Sequence, residues 1–208
     1  MPHSSKPIRE YIALDKHLIS RGVTFSVVPG LSVLPDDCTL NEMTLVIQKG
    51  AATLRRENPR LLYGLVQGPV ILGLAAAASK IQNSYSLIAE TLCQGYYLPA
   101  KDALQCIDRY QLWRESFYWM AWQTRLLELR DSQLIGANHY HQIRATILMM
   151  AGWEKAIRER IGVLNFIQQR TGISRSVIAE VLSALRKGGY IEMDKGKLVA
   201  VTRLPSDY

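Results

Sequence analysis

IGVLNFIQQRTGISRSVIAEVLSALRKGGYIEMDKGKLVAVTRL, residues 161–204, changes its periodicity twice. Ahead of Gly172, Leu164, Ile167 and Gln168 sit at helical spacing. Past it, Ser174 is placed to cap a new helix by accepting a bond from a free backbone N–H. In that helix Val177, Val181, Ala184 and Leu185 form one apolar stripe, with Ile178 and Leu182 beside it. Arg175, Ser176, Ala179, Glu180 and Ser183 lie off the stripe. Gly188-Gly189 ends the helix, because glycine tolerates the left-handed geometry of a C-terminal cap. Two β-like runs, 190–193 and 198–201, then flank a turn at Asp194-Lys195-Gly196-Lys197. Helix, tight turn, helix and basic-tipped hairpin outline a winged helix-turn-helix.

That outline suits a DNA duplex. The major groove admits one α-helix and displays the donors and acceptors that distinguish base pairs. The first helix braces the second across the backbone. Residues 151–208 hold ten Lys/Arg against six Asp/Glu, a surplus suited to phosphates. The competing reading is a helical hairpin and a β-hairpin that only pack on a partner.

The 208 residues suit one large or two small domains, and a 48% hydrophobic content can bury a core. A net charge of +7 favours a polyanionic partner. Cys38, Cys93 and Cys106 lack CxxC spacing; an odd, sparse set fits a reducing cytosol. The opening MPHSSKPIRE has no apolar signal core. Residues 65–78, the least polar run, contain Gln67, Gly68 and Pro69 and are too short for a bilayer. Both features argue for the cytoplasm and against a membrane.

From the start, Ile8, Tyr11, Ile12, Leu18 and Ile19 predict an amphipathic helix over 8–20. Short β-like runs follow at 23–28, 31–34, 43–48, 51–56, 61–66, 86–92 and 95–98. Turn signals separate them, among them Pro29-Gly30, Pro35-Asp36-Asp37 and Glu57-Asn58-Pro59. Such punctuation predicts a β-barrel or jelly roll. Leu98-Pro99 opens a helix over 100–107. A long helix over 108–135 comes next, free of Pro and Gly. Trp113, Phe117, Met120, Ala121, Thr124, Leu127 and Leu134 share one seam; Trp119, Trp122, Leu126 and Leu129 share another. The apolar run FYWMAW cannot leave a face in water. One face can cover the β domain while the other pairs with a second copy, so Trp113, Phe117, Met120, Thr124, Leu127 and Leu134 are the expected dimer interface. Asn138 is placed to cap the next helix, 139–150. The expected division is 1–107 for the roll, 108–137 for the dimerisation helix and 138–208 for DNA binding. The fold class is α+β.

A β-roll, a long helix and a C-terminal winged helix-turn-helix, in that order, resemble the Crp/Fnr family of bacterial transcription regulators. The likeness is most specific at Gly172-Ile173-Ser174-Arg175, Val177-Ile178, Val181-Leu182, Leu185 and Tyr190-Ile191, and again at Leu98-Pro99-Ala100-Lys101-Asp102-Ala103-Leu104. FYWMAWQTRLLELRDSQLIG and ISRSVIAEVLSALRKGGYIEM look closer still to an enterobacterial branch named for inhibition of hydrogen peroxide resistance. The resemblance implies a cyclic-nucleotide-binding-like roll, a homodimer, double-stranded DNA as partner, RNA polymerase as a further one, and a role in oxidative stress.

Departures from the family pattern shape the remaining expectations. Cyclic-nucleotide binders of the family carry a Glu for the ribose and an Arg for the phosphate. Here Gly73-Leu74-Ala75-Ala76 puts Leu74 in the Glu position, and Asn83-Ser84-Tyr85-Ser86-Leu87 holds no Arg. A buried cyclic phosphate would lack its charge partner, so no cyclic-nucleotide binding and no cofactor are expected. The roll is then a scaffold, or it takes an apolar ligand beside Ala75–Ala78; the sequence names no effector. Residues 1–37 lack the cysteines of iron–sulfur members. In the reading helix Arg175 is kept, Ser176 replaces a Glu, and Glu180 sits near a later Arg position. Arg175, Ser176 and Glu180 are the expected base contacts, Arg175 to guanine and Glu180 to cytosine. A locally paired surface carboxylate is the alternative for Glu180. Arg170, Arg186, Lys187, Lys195 and Lys197 are the expected phosphate contacts.

Peroxide sensing would need an accessible thiolate of low pKa. Arg109, one turn from Cys106, makes that thiol the candidate, against an inert buried one. His139 and His141 point to different faces and make a poor metal pair. No catalytic constellation is apparent, so no enzyme is expected. The sequence thus points to a homodimeric, sequence-specific DNA-binding regulator. Its rivals are an adaptor that has lost DNA reading and a thiol or small-molecule sensor whose output is transcription.

Overall fold

The computed structural model describes residues 5–57, 61–79 and 84–206. Two units divide the chain, Met1–Leu127 and Glu128–Tyr208. In the first, α1 (Ile8–Leu18) and a 3-10 turn (Ile19–Arg21) precede β1 (Val23–Val27), β2 (Met43–Lys49), β3 (Ala51–Arg56), β4 (Leu61–Gln67), β5 (Val70–Leu72), β6 (Tyr85–Ala89) and β7 (Cys93–Pro99). Helices α2 (Ala100–Arg109) and α3 (Trp113–Leu134) follow. Antiparallel pairing gives one sheet in the order β1-β7-β2-β5 and another in the order β4-β3-β6. One core draws on both, with Leu45, Ile47, Ile71 and Leu98 from the first and Ala52 and Leu87 from the second. This is the expected roll. β2 is buried from Thr44 to Ile47 on both faces, because it lies inside its sheet and helices cover the far side; its side chains therefore read as a continuous apolar run.

Several elements differ from the sequence expectation, each for a local reason. The first helix stops at Leu18, and its buried side is Tyr11, Leu14 and Leu18; Ile8, Ile12 and Ile19 face solvent. The Tyr96 hydroxyl, donating to the Asp15 carboxylate at 2.8 Å, helps set that rotation. Residues 31–34 form no strand, only a bridge from Ser32 to Ile88. Gly30 turns the backbone at φ 93°, and Pro29 and Pro35 bring no donors to a ladder. β5 was hidden in an apolar run without alternation, since all three of its residues are buried. The helix expected over 100–107 continues to Arg109. The long helix begins at Trp113 rather than 108, after a break with no Pro or Gly. Gln111 takes a left-handed φ of 55°, which costs about 1–2 kcal/mol. Asp108 offsets it, accepting from Gln111 Nε2 through its carbonyl (2.8 Å) and from Trp113 Nε1 through its carboxylate (3.0 Å). Asn58 and Pro59 of one expected turn, and Asn83, lie outside the described residues.

Early in α3, Trp119 is fully buried, and its indole N–H donates to the Ile71 carbonyl of β5 at 2.9 Å. Gln123 Nε2 donates to the same oxygen at 2.9 Å. The seam containing Trp119 is thus the one that covers the β-roll.

The second unit carries the end of α3, then α4 (His139–Ala151), α5 (Lys155–Arg158), α6 (Val163–Thr171), α7 (Arg175–Lys187) and the hairpin β8 (Ile191–Asp194) and β9 (Lys197–Val201). Asn138 caps α4 as expected, its side chain accepting from the His141 amide at 2.8 Å. Ile143, Ile147, Met150, Ile167, Ile178 and Leu185 are buried in this unit. Trp153 meets Phe166 edge to face at 4.8 Å.

Candidate nucleic-acid interface

Helix α6 ends where Gly172 adopts φ 76°, and its amide closes the last turn on the Gln168 carbonyl at 2.8 Å. Ile173 is buried at the turn and ties the two helices to one core. Ile178, Val181, Leu182 and Leu185 form the buried side of α7, with Val177 and Ala184 at its edges. The opposite side holds Ser176, Ala179, Glu180, Ser183 and Lys187, all exposed. Three of these five side chains are small, so the helix backbone can approach a groove floor closely. Ser174 stands at the N-cap, but its hydroxyl meets the Ser176 hydroxyl at 3.2 Å and makes no capping bond, contrary to expectation.

At the hairpin, Lys195 and Gly196 carry φ of 45° and 78°, the paired positive values of a tight two-residue turn whose twist suits antiparallel strands. The Val163 amide donates to the Gly196 carbonyl at 3.0 Å, fastening the turn to the start of α6.

The expected contact residues separate once their partners are known. Arg186 and Lys187 are exposed in the last turn of α7, and Lys195 is exposed at the hairpin tip. Lys197 is half-buried and donates to the Arg160 carbonyl. Arg170 is only 4% exposed and donates to Gln133 Oε1 at 3.3 Å. Burial, then the neighbouring Arg130 guanidinium, pushes its pKa down to about 10. Arg170 therefore leaves the phosphate set: a side chain held inside the domain presents no charge to a backbone outside. Arg175 lies at the start of α7, exposed, yet its guanidinium turns to α6 and donates to Asn165 Oδ1 at 2.6 Å and Gln168 Oε1 at 3.2 Å. Sequence reasoning missed Asn165, whose i, i+3 pairing with Gln168 on α6 was the available signal. Glu180 is exposed and makes no ion pair among the described residues.

Elsewhere, Phe117 is 69%, Trp113 49% and Leu127 47% exposed; Thr124 is exposed too, while Met120 and Leu134 are half-buried. Cys106 is buried, and its thiol donates to the His17 carbonyl at 3.4 Å. Burial pushes its pKa up against the smaller opposing pull of Arg21 and Arg109. Of the two expectations for Cys106, burial favours the inert thiol: Arg109 acts in the anticipated direction, but burial outweighs it. Leu74 is buried within the roll's core. No group of His, Cys, Asp or Glu that could hold a metal gathers among the described residues, and no helix among them is long and apolar enough to cross a membrane.

Residues 139–206 match the family described as winged helix-turn-helix DNA binding. Over 203 residues the chain is 55% identical to the inhibitor of hydrogen peroxide resistance of Escherichia coli (strain K12), with 98% of each chain covered. Its fold is similar to that of a c-di-GMP responsive global regulator from Xanthomonas campestris, with TM-score 0.70 at 14% identity, covering 92% of this chain and 100% of that one. A crp/fnr-family transcriptional regulator from Eubacterium rectale superposes with TM-score 0.66 at 17% identity, covering 91% of this chain and 90% of that one. By sequence this chain belongs to the family of the inhibitor of hydrogen peroxide resistance, built on the Crp/Fnr fold with a winged helix-turn-helix DNA-binding domain.

Proposed function

We propose that the chain is a sequence-specific transcription regulator that binds duplex DNA as a homodimer. The observation that carries this reading is the outward side of α7, a strip of small residues and Glu180 running to Lys187, with exposed Arg186 beside it and Lys195 at the wing tip. Small side chains admit the helix to the major groove, and the cations around it meet phosphates. Ser176 and Glu180 face the base edges. Arg175 reads a base by leaving Asn165 and Gln168, or holds a phosphate beside them. Arg186, Lys187 and Lys195 contact the backbone.

Exposure of Trp113, Phe117, Thr124 and Leu127 supports pairing of two α3 helices, since large rings in water are stabilised by a partner. Two-fold pairing sets two reading helices about 34 Å apart and calls for an inverted-repeat operator. Leu74, fixed in the core where cyclic-nucleotide binders of the fold carry a carboxylate, supports a roll that does not take cyclic AMP. Calorimetric titration with cyclic AMP checks that point; micromolar binding would overturn it. The relative's name supports a role in hydrogen peroxide resistance, exercised in the cytoplasm with RNA polymerase as a further partner.

The deciding experiment is fluorescence-anisotropy binding to promoter fragments and to random DNA across a salt series. A few fragments should bind about a thousandfold tighter than random DNA, with a steep salt dependence. Equal affinity for all duplexes would refute sequence-specific reading. Arg175→Ala should relax base preference; unchanged affinity and preference would remove Arg175 from the interface.

A further inference from the structure

A groove of about 610 Å³ opens on the second unit, and no residue of α7 lines it. Arg144 and Leu148 of α4, Tyr190 before β8, and Thr202, Arg203 and Pro205 after β9 line it. The Pro205 carbonyl accepts from Tyr140 Oη at 2.8 Å and from Arg144 Nε at 2.7 Å, which fastens the segment after β9 onto α4 and forms one wall. Leu204, buried beneath, anchors the same segment. With Nε engaged, the terminal nitrogens of Arg144 have no protein partner among the described residues. Arg203 is exposed beside them. Leu148 and Tyr190 stand 42% and 39% exposed, giving the groove apolar surface between its two cations.

Its position sets it apart from the base-reading start of α7 and from the wing tip. Tyr190 lies at the root of the hairpin, about 15 Å along the strands from the tip residue Lys195. It also follows the C-terminal end of α7, about 20 Å along the helix from Arg175. Arg186 and Lys187, which the proposed duplex contacts through its backbone, border the groove on the α7 side without lining it, so competition by duplex is the control that separates the two sites.

We infer that this groove docks an acidic segment of a partner protein. Two carboxylates meet the Arg144 and Arg203 guanidiniums, and an apolar side chain between them covers Tyr190 and Leu148. Among the described residues, the charged ones lining the groove are Arg144 and Arg203, both positive, which sets the sign of the partner. The exposed ring and leucine favour a peptide over a phosphate backbone, which would leave both in water. The inference does not rest on DNA reading: the peptide titration is run without DNA, and duplex enters only as a competitor.

The full chain is titrated against a short fluorescein-labelled peptide with Asp and Glu around a central Leu-Phe pair, and against its counterpart with Lys for each acid. The acidic peptide should bind about tenfold tighter than the basic one, the scale of one or two charge-assisted contacts. Arg203→Glu changes an exposed residue and leaves the Pro205 anchor in place. It should weaken the acidic peptide about tenfold and strengthen the basic one, while Arg175→Ala changes neither. Unlabelled duplex DNA should not displace the peptide. Acidic-peptide affinity unchanged in Arg203→Glu would overturn the inference, and displacement by duplex would make the groove a DNA-backbone site instead.

Discussion

Lys195 and Lys197 sit two residues apart on one hairpin, and the structure gives them opposite fates. Lys195 Nζ is exposed at the turn; Lys197 Nζ is held by the Arg160 carbonyl. Each phosphate neutralised contributes about 0.9 to the slope of log affinity against log salt. A homodimer presents two wings, so Lys195→Ala should lower that slope by about 1.8. Between about 50 mM and about 200 mM salt the advantage of the wild-type protein over this variant then shrinks about 12-fold. Alanine keeps the left-handed strain at this position, so stability should stay within about 0.5 kcal/mol. Lys195→Gly removes the same charge and relieves the strain, and should raise stability by about 1 kcal/mol with the same fall in slope. Lys197→Ala should do the reverse: a loss of about 1 kcal/mol for the carbonyl bond, with the slope unchanged. Anisotropy titrations across salt give the slopes and urea unfolding gives the stabilities. Equal slopes for Lys195→Ala and Lys197→Ala would refute the reasoning, because charge would then count irrespective of which lysine the backbone has captured.

Trp119→Ala should cost about 3–5 kcal/mol in urea unfolding, since it empties a fully buried site and removes the donor to Ile71. A loss below about 1 kcal/mol would mean that α3 is not keyed to β5. Phe117→Asp places a charge in the proposed pairing seam and should give monomers by sedimentation; a persistent dimer at the same concentration would move the interface elsewhere. Burial and then Asp15 push the phenols of Tyr11 and Tyr96 up, and burial pushes up the thiols of Cys93 and Cys106. The native state holds these protons more tightly than the unfolded chain, so their stabilisation is whole below the ordinary pKa values and fades as pH rises past them. Lys6, lowered by burial, acts in the opposite direction but is one group against these four and Cys38, whose thiol is raised as well. The first unit should therefore unfold at lower urea above about pH 9. Phenolate absorbance appearing well before unfolding would contradict the burial of Tyr96.

Elements whose periodicity matches their burial were legible in the sequence. The α7 stripe, the glycine turn before it and the hairpin tip all follow from local rules, since each buries one face and exposes the other. β5 was not legible: three buried residues have no alternation to show. Nor was the break before Trp113, because helix breakers are recognised by composition, whereas Gln111 breaks the helix through a strained φ held by Asp108. In α1, Ile8 and Ile12 suggested the wrong face, since the hydrogen bond from Tyr96 to Asp15 links α1 to residue 96 and no pattern within residues 8–20 contains it.

The cations expose a more general limit. A basic surplus counts side chains, but phosphates see only those that the fold leaves in water. Lys197 is taken by the carbonyl of residue 160, Arg158 by that of 199 at 2.7 Å, and the Nε of Arg144 by that of 205. Every residue carries a carbonyl, so nothing in its identity marks it as an acceptor; the path of the backbone alone decides which one meets a given donor. Arg170 adds burial to the same effect. Captured charges do not thereby become useless. Fastening Lys197 holds the strand that displays Lys195, and fastening Arg144 shapes a groove that Arg203 completes. The exposed charges of this domain keep their positions because neighbouring ones have been tied down.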